Sequence, residues 1–217
     1  GYELRIFRIA GSPLSPRADD RGIVFLQHGI LWSSDAFVLR GPAHDLSFML
    51  ADAGYDVWMG NVRGNTYGTR HQAISRKDPK FWDFSYHEMG TEDLPAMIDY
   101  VLANTSRKCL HYVGHSMGAT IAYVMLSLRP EYNAKIKLVV SLAPVTLWRH
   151  RLNPMQTFFS QVGLTIEILP QTSLFARQVD QWCSEDAVSY TACLNMIFGF
   201  VGEDREQLNA VSFTRNI

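Results

Sequence analysis

The sequence predicts an α/β fold, a mostly parallel sheet with helices on both faces, and three features lead there. Short apolar runs without polar alternation, at Ile23 to Leu26, Leu110 to Val113 and Ile136 to Leu142, are the pattern of strands buried on both faces. Segments of helical spacing separate these runs, the order that produces crossover connections and a covered sheet. Hydrophobic residues make up 47% of the 217 and charged residues 19%, which supplies a packed core and excludes a disordered chain.

Taken in order, Tyr2 to Ile9 alternates and reads as one edge strand. The run from Ile23 to Leu26 stops at Gln27-His28-Gly29. Ala43 to Ala53 carries Leu46, Met49 and Leu50 at helical spacing, with Gly54 as its stop. Tyr55 to Met59 is a strand that ends at Gly60-Asn61. After a long loop, Asp93 to Leu102 places Leu94, Met97, Ile98, Val101 and Leu102 on one helical face. Glu88, Glu92 and Asp93 stand at its start, where carboxylates favour the positive end of the helix dipole, so they read as capping residues. Leu110 to Val113 is a strand, Met117 to Leu128 an almost wholly apolar helix, and Ile136 to Leu142 a further strand. From Trp148 onward no strand pattern survives, and Glu167 is the one charged residue between Leu152 and Ala176. The reading is an α/β core over 1–147 and a helical subdomain over 148–217.

Lys plus Arg is 20 and Asp plus Glu is 21, a net charge of -1, which gives no electrostatic case for nucleic acid or an acidic membrane. No run approaches the ~18 apolar residues of a spanning helix. Three cysteines are too few for a disulfide scaffold. No Cys/His spacing fits a metal, and no metal or cofactor is expected. His44, His71, His87 and His111 read as surface or packing residues.

The chemistry concentrates in Gly114-His115-Ser116-Met117-Gly118. A buried strand leads in and an apolar helix leads out, the strand-turn-helix of a nucleophile elbow. The turn requires Gly114 and Gly118 so that backbones can approach, and it lifts the Ser116 hydroxyl above the sheet edge. The first amides of the helix are unpaired, so Met117 N–H can receive a developing oxyanion. His115 reads as a packing neighbour, since adjacent side chains diverge. A second corner, Gln27-His28-Gly29-Ile30-Leu31, follows an earlier strand and can bring the Ile30 N–H beside the nucleophile, with Leu31 close behind. The Arg63-Gly64-Asn65-Thr66 loop reads as architectural, and Phe81, Trp82, Phe84 and Tyr86 as a hydrophobic plug against the sheet. Asn104-Thr105-Ser106 is a glycosylation sequon.

Several blocks occur together in one order: Leu26-Gln27-His28-Gly29, Trp58-Met59-Gly60-Asn61-Val62-Arg63-Gly64-Asn65-Thr66, Phe81-Trp82-Asp83-Phe84-Ser85 and Tyr112-Val113-Gly114-His115-Ser116. This set resembles the acid lipases, the gastric and lysosomal group. The resemblance implies an α/β-hydrolase fold with a helical cap at 148–217, a Ser-Asp-His triad and hydrolysis of triacylglycerols or cholesteryl esters at mildly acidic pH. It further implies a secreted or lysosomal enzyme that meets lipid through its cap. Ser116 matches the nucleophile, and Ile30 and Met117 match the oxyanion donors. The family usually has Gln where Met117 stands, a difference similar to its arthropod branch and harmless to a backbone donor. The family's cap disulfide corresponds to Cys183 and Cys193, leaving Cys109 a free thiol.

The departures lie downstream. After Ser116 the one histidine is His150, and between them the one acid is Glu131, a pair too early in the chain for the triad. Against the family, the last strands with their Asp and His are not matched, so the resemblance implies a fragment that is inactive alone. Two alternatives stay open: a non-catalytic lipid-binding fragment, and a hydrolase of another acyl ester or a thioester. The segment from Leu152 to Ala176, with Phe158 and Phe159, carries more apolar residues than one packed face needs. It is expected to line an acyl pocket or meet a lipid interface.

Overall fold

The computed structural model describes residues 1–146 together with Val188, Thr191 and Ala192. The chain divides into two units, Gly1–Leu147 and Trp148–Ile217, and every element named here lies in the first. In chain order these are β1 (Tyr2–Glu3), β2 (Phe7–Ile9), β3 (Ile23–Gln27), α1 (Leu46–Asp52), β4 (Asp56–Gly60), β5 (Arg70–His71), a short helical turn α2 (Tyr86–Glu88), α3 (Leu94–Thr105), β6 (Leu110–His115), α4 (Met117–Leu128) and β7 (Ile136–Leu142). Five strands form one sheet in the order β2-β4-β3-β6-β7. β3 runs parallel to β4 and β6, β6 runs parallel to β7, and β2 is an antiparallel edge.

The unbroken apolar run in β3 is explained by what lies on its two sides. Ile23 and Phe25 join Trp58, Tyr112, Leu94, Met97, Ile98 and Val101 in one core, with Ile121 and Met125 of α4. Val24 and Leu26 join Val57, Met59, Val113, Phe37 and Ala51 of α1 in the other. Successive side chains of a strand point to opposite faces, so both parities must be apolar when both faces are covered.

Four expectations need correction. Tyr2 to Ile9 is two strands, not one: β1 pairs with β5 in a separate two-stranded ladder, and β2 pairs with β4. Between them the Arg5 carbonyl accepts from Asn61 Nδ2 at 3.1 Å, a side-chain bond in place of a strand ladder. α1 begins at Leu46 rather than Ala43, because the Asp45 carboxylate accepts from the Arg40 and Gly41 N–H groups at 2.6 and 2.9 Å and holds a turn there. The aromatic plug excludes Tyr86, which is exposed. Phe81 and Phe84 instead pack on the Tyr2 ring, and Tyr2 donates its hydroxyl hydrogen to the Phe81 carbonyl.

The fourth correction concerns the acids before α3. Glu88 does cap a helix, in a reciprocal box with Ser85 at the start of α2. A wide π-helical turn, Met89–Asp93, then joins α2 to α3. Gly90 lies in that turn because a Cβ there would fall 2.8 Å from the Ile121 carbonyl oxygen of α4. Asp93 caps nothing. Its carboxylate accepts from Arg63 N and Nε, each at 2.9 Å, and from Arg63 Nη2 at 2.6 Å. Glu92 adds a second carboxylate to Nη2 at 2.7 Å, and the guanidinium lies 4.4 Å from the centre of the Tyr2 ring. Both Arg63 and Asp93 are buried, so burial pushes the Asp93 carboxyl up while the Arg63 guanidinium opposes it. Arg63 is therefore architectural.

A buried charge pair of this kind is costly to break from one side only. Asp93→Ala should lower stability by up to about 3–5 kcal/mol in urea unfolding, because it leaves the buried guanidinium only the exposed Glu92 as a partner. Replacing both partners, Arg63→Met with Asp93→Leu, should lose less than the single change.

Candidate active site

Ser116 is the single residue between the end of β6 and the start of α4, and it pays for that place with φ 51 and ψ -117. Such a conformation costs on the order of 1–3 kcal/mol and persists only where the surroundings impose it. Four contacts do so. Ser116 N–H donates to the Leu142 carbonyl of β7 at 2.8 Å. A Cβ at Gly114 would stand 2.6 Å from Ala119 N, so the strand and its own helix touch there. A Cβ at Gly118 would collide with the Gln27 carbonyl oxygen, so the helix also touches β3. Tyr112, buried in β6, donates its hydroxyl hydrogen to the Gly118 carbonyl at 2.6 Å. The two glycines thus serve the close approach read from the sequence, Gly114 against the helix and Gly118 against β3.

Ser116 itself is half-buried, open enough to be reached. The Met117 N–H, first in α4, has no hydrogen-bond acceptor among the described residues. The second corner arrives beside it. A Cβ at Gly29 would lie 3.0 Å from Ser116 Cβ and 3.0 Å from His115 Nδ1, so Gly29 packs directly on the turn. Trp32 N–H closes the corner onto the Gly29 carbonyl at 3.4 Å, with Leu31 in the left-handed region at φ 64. The Ile30 N–H has no acceptor among the described residues either. Ser116, Met117 and Ile30 are thereby brought to one place.

His28 anchors this corner. It is buried, its Nδ1 lies 2.7 Å from the Gly29 carbonyl oxygen, and its Nε2 lies 3.1 Å from Asn65 Nδ2. A carbonyl only accepts and an amide nitrogen only donates, so the ring is neutral with its hydrogen on Nδ1. The Asn65 amide is itself fixed: Tyr67 N–H donates to its Oδ1 at 2.9 Å, and its Nδ2 also donates to Asn61 Oδ1 at 2.7 Å. Asn61 in turn holds Ser34 through the Ser34 N–H and Oγ, both at 2.9 Å. Burial pushes the His28 imidazole down to about 4. His115 is also pushed down by burial, and its ring stacks on Trp32 at 5.1 Å and 19°. It is a packing neighbour, as expected of a side chain adjacent to Ser116.

The other sequence candidates lie apart. Asn104 is exposed in the last turn of α3, donating from Nδ2 to the Tyr100 carbonyl at 2.8 Å. Glu131 is exposed and paired with Arg129 at 2.7 Å. Cys109 is a half-buried free cysteine. Cys183, Cys193, His150, Phe158 and Phe159 lie outside the described residues. From the sequence, Asn61 and Asn65 had no part in the site, and Trp32 had no reading at all. Two amide side chains four residues apart, directly after a strand that neighbours the His28 strand, were the available signal for the first two.

The sign of the His28 contribution follows from its depressed value. In the unfolded chain the ring takes up a proton near pH 6.5, whereas in the fold it resists until about 4. Its contribution to stability is complete above pH 6.5 and is lost as pH falls toward 4, at about 1.4 kcal/mol per pH unit. Urea midpoints across that window should fall for the wild type and fall less steeply for His28→Asn.

A family model described as the alpha/beta hydrolase fold matches residues 22–188, and another, a partial alpha/beta-hydrolase lipase region, matches residues 1–41. Lipase 3 of Drosophila melanogaster is 41% identical, over 96% of this chain and 55% of its own length. Gastric triacylglycerol lipase of Bos taurus is 38% identical over 96% and 54%, and Lipase member K of Homo sapiens 37% over 96% and 54%. The chain spans about half the length of the curated relatives it matches. Among solved structures, a marine microorganism esterase superposes with a TM-score of 0.53 at 14% identity, covering 99% of this chain and 72% of that one. An esterase of Thermogutta terrifontis gives 0.52 at 14% identity, covering 83% and 54%; both are likenesses of fold. With sheet, turn and family model in agreement over most of the chain, this protein belongs to the α/β-hydrolase fold family.

Proposed function

We propose that this protein is a serine ester hydrolase of the lipase type, acting on water-insoluble acyl esters such as triacylglycerols or cholesteryl esters. The observation that carries the reading is Ser116 at φ 51 and ψ -117 on the β6–α4 turn, with Gly29 packed against it. In this mechanism Ser116 Oγ attacks the ester carbonyl carbon and gives up its proton to a base. The carbonyl oxygen becomes an oxyanion, received by the Met117 and Ile30 N–H groups. The tetrahedral intermediate collapses by expelling the alcohol, which takes the proton, and water then releases the acid and regenerates Ser116. Neither His28, whose ring nitrogens are both engaged, nor His115, which is turned onto Trp32, is assigned as that base.

The lipid preference is supported by the names of the relatives and by the apolar segment from Leu152 to Ala176, proposed here as cap and lipid-contact surface. No helix among the described residues is long and apolar enough to cross a membrane. A secreted or lysosomal setting fits the exposed sequon at Asn104, which is the proposed glycosylation site. Cys183 and Cys193 are proposed to pair in the cap.

In an enzyme that carries the complete triad, Ser116 should be the residue labelled by a fluorophosphonate, identified by peptide mapping, and Ser116→Ala should abolish the label. Labelling that survives the substitution would reject the assignment. For lipid contact, Phe158→Ser with Phe159→Ser in that enzyme should reduce turnover of an emulsified long-chain ester while sparing a short soluble one. Equal loss on both substrates would give these side chains a purely structural role.

A further inference from the structure

We infer that Asn65 is a positioning residue for the oxyanion donor at Ile30, acting through the His28 imidazole; the inference rests on the ester-hydrolase reading above. The Gly29 carbonyl and the Ile30 N–H belong to the same peptide unit. There are no cis peptide bonds among the described residues, so in this planar trans unit the two dipoles point in opposite directions. Whatever fixes the carbonyl therefore fixes the N–H. The carbonyl is fixed by His28 Nδ1 at 2.7 Å, with Trp32 N–H as a weaker second donor at 3.4 Å. The Ile30 N–H is thereby turned away from His28, in a loop whose Gly29 already rests on Ser116.

This control works only while the imidazole hydrogen is on Nδ1. With the hydrogen on Nε2, the bare Nδ1 lone pair would face the carbonyl oxygen, two acceptors at donor–acceptor distance, and the peptide would rotate or retreat. Asn65 prevents that state by donating to Nε2 at 3.1 Å. Its amide cannot be turned over to present its oxygen instead, because the Tyr67 N–H requires Oδ1 on its own side at 2.9 Å and Asn61 Oδ1 requires a donor at 2.7 Å. The chain of control runs from the backbone of Tyr67 through Asn65 and His28 to the peptide that carries the donor. Asn65 touches no reacting atom, and its effect appears where charge develops on the carbonyl oxygen.

The test uses Asn65→Leu, which keeps the branching at Cγ and removes the donor. In wild-type protein labelled with ¹⁵N-histidine, the His28 nitrogen shifts at neutral pH should show a protonated Nδ1 and a bare Nε2. Asn65→Leu should move that pattern toward the other tautomer. On a short soluble ester, measured in an enzyme that carries the complete triad, kcat should fall about 10- to 100-fold with KM nearly unchanged, because an oxyanion donor acts in the transition state. His28→Asn supplies the second arm, since its shorter amide can donate to the Gly29 carbonyl without having a second tautomer. In that background Asn65→Leu should have little further effect on kcat, a coupling that a general loss of folding would not produce. A wild-type His28 protonated on Nε2, an Asn65→Leu enzyme with unchanged kcat, or an undiminished loss in the His28→Asn background would each overturn the positioning role. Labelling that persists in Ser116→Ala would instead overturn the hydrolase reading and this inference with it.

Discussion

Ser116 holds its strained backbone because three layers of main chain are pressed together beneath it without side chains between them. Gly114 lets β6 touch the first turn of α4, and Gly118 lets that turn touch the end of β3. The Ser116 N–H is then drawn to the carbonyl of Leu142 in β7, so the turn is tied to the strands on both sides of β6. The two hydrophobic cores keep that compression in place: α3 and α4 cover one face of β3, and α1 covers the other. The order β4-β3-β6-β7 places the two loops that matter at adjacent strand ends, so the Gly29 corner reaches the serine through packing alone.

Polar groups are buried around this centre in two different ways, and the Gly60–Gly68 stretch takes part in both. On one side Arg63 is surrounded by carboxylates and aromatic faces, where charge is balanced by charge. On the other, Asn61 and Asn65 face His28 and Ser34, where every partner is neutral. A charged partner at His28 would favour imidazolium and bring a charge into the space beside the nucleophile. Amides hold the ring without doing so.

Much of this was legible in the sequence, for reasons that can be named. The apolar runs at β3, β6 and β7 and the stripe on α3 are local patterns imposed by burial, and the Gly-x-Ser-x-Gly turn is a local pattern imposed by backbone contact. What could not be read was set by distant partners. Asp93 looked like a capping residue until Arg63, thirty positions away in the chain, supplied a guanidinium. Tyr2 to Ile9 reads as one alternating strand, interrupted only at Ile6-Phe7, yet the bond from Asn61 to the Arg5 carbonyl divides it between two sheets. The spacing of Asn61 and Asn65 marks a pair of amides, but their partner is His28, to which only the folded chain brings Asn65.

The wide turn at Met89–Asp93 works as a phase shifter. An ordinary α-helix advances about 100° per residue, so a run of helix from Ser85 onward would fix the azimuth of Asp93 by counting alone. The wider winding takes up residues without the same rotation, so the Asp93 carboxylate at its end faces Arg63 while α3 turns its apolar stripe toward the sheet. The number of residues between Ser85 and Leu94 is thus as constrained as their chemistry. A change of length there would turn two faces out of register at once, even if every side chain were kept.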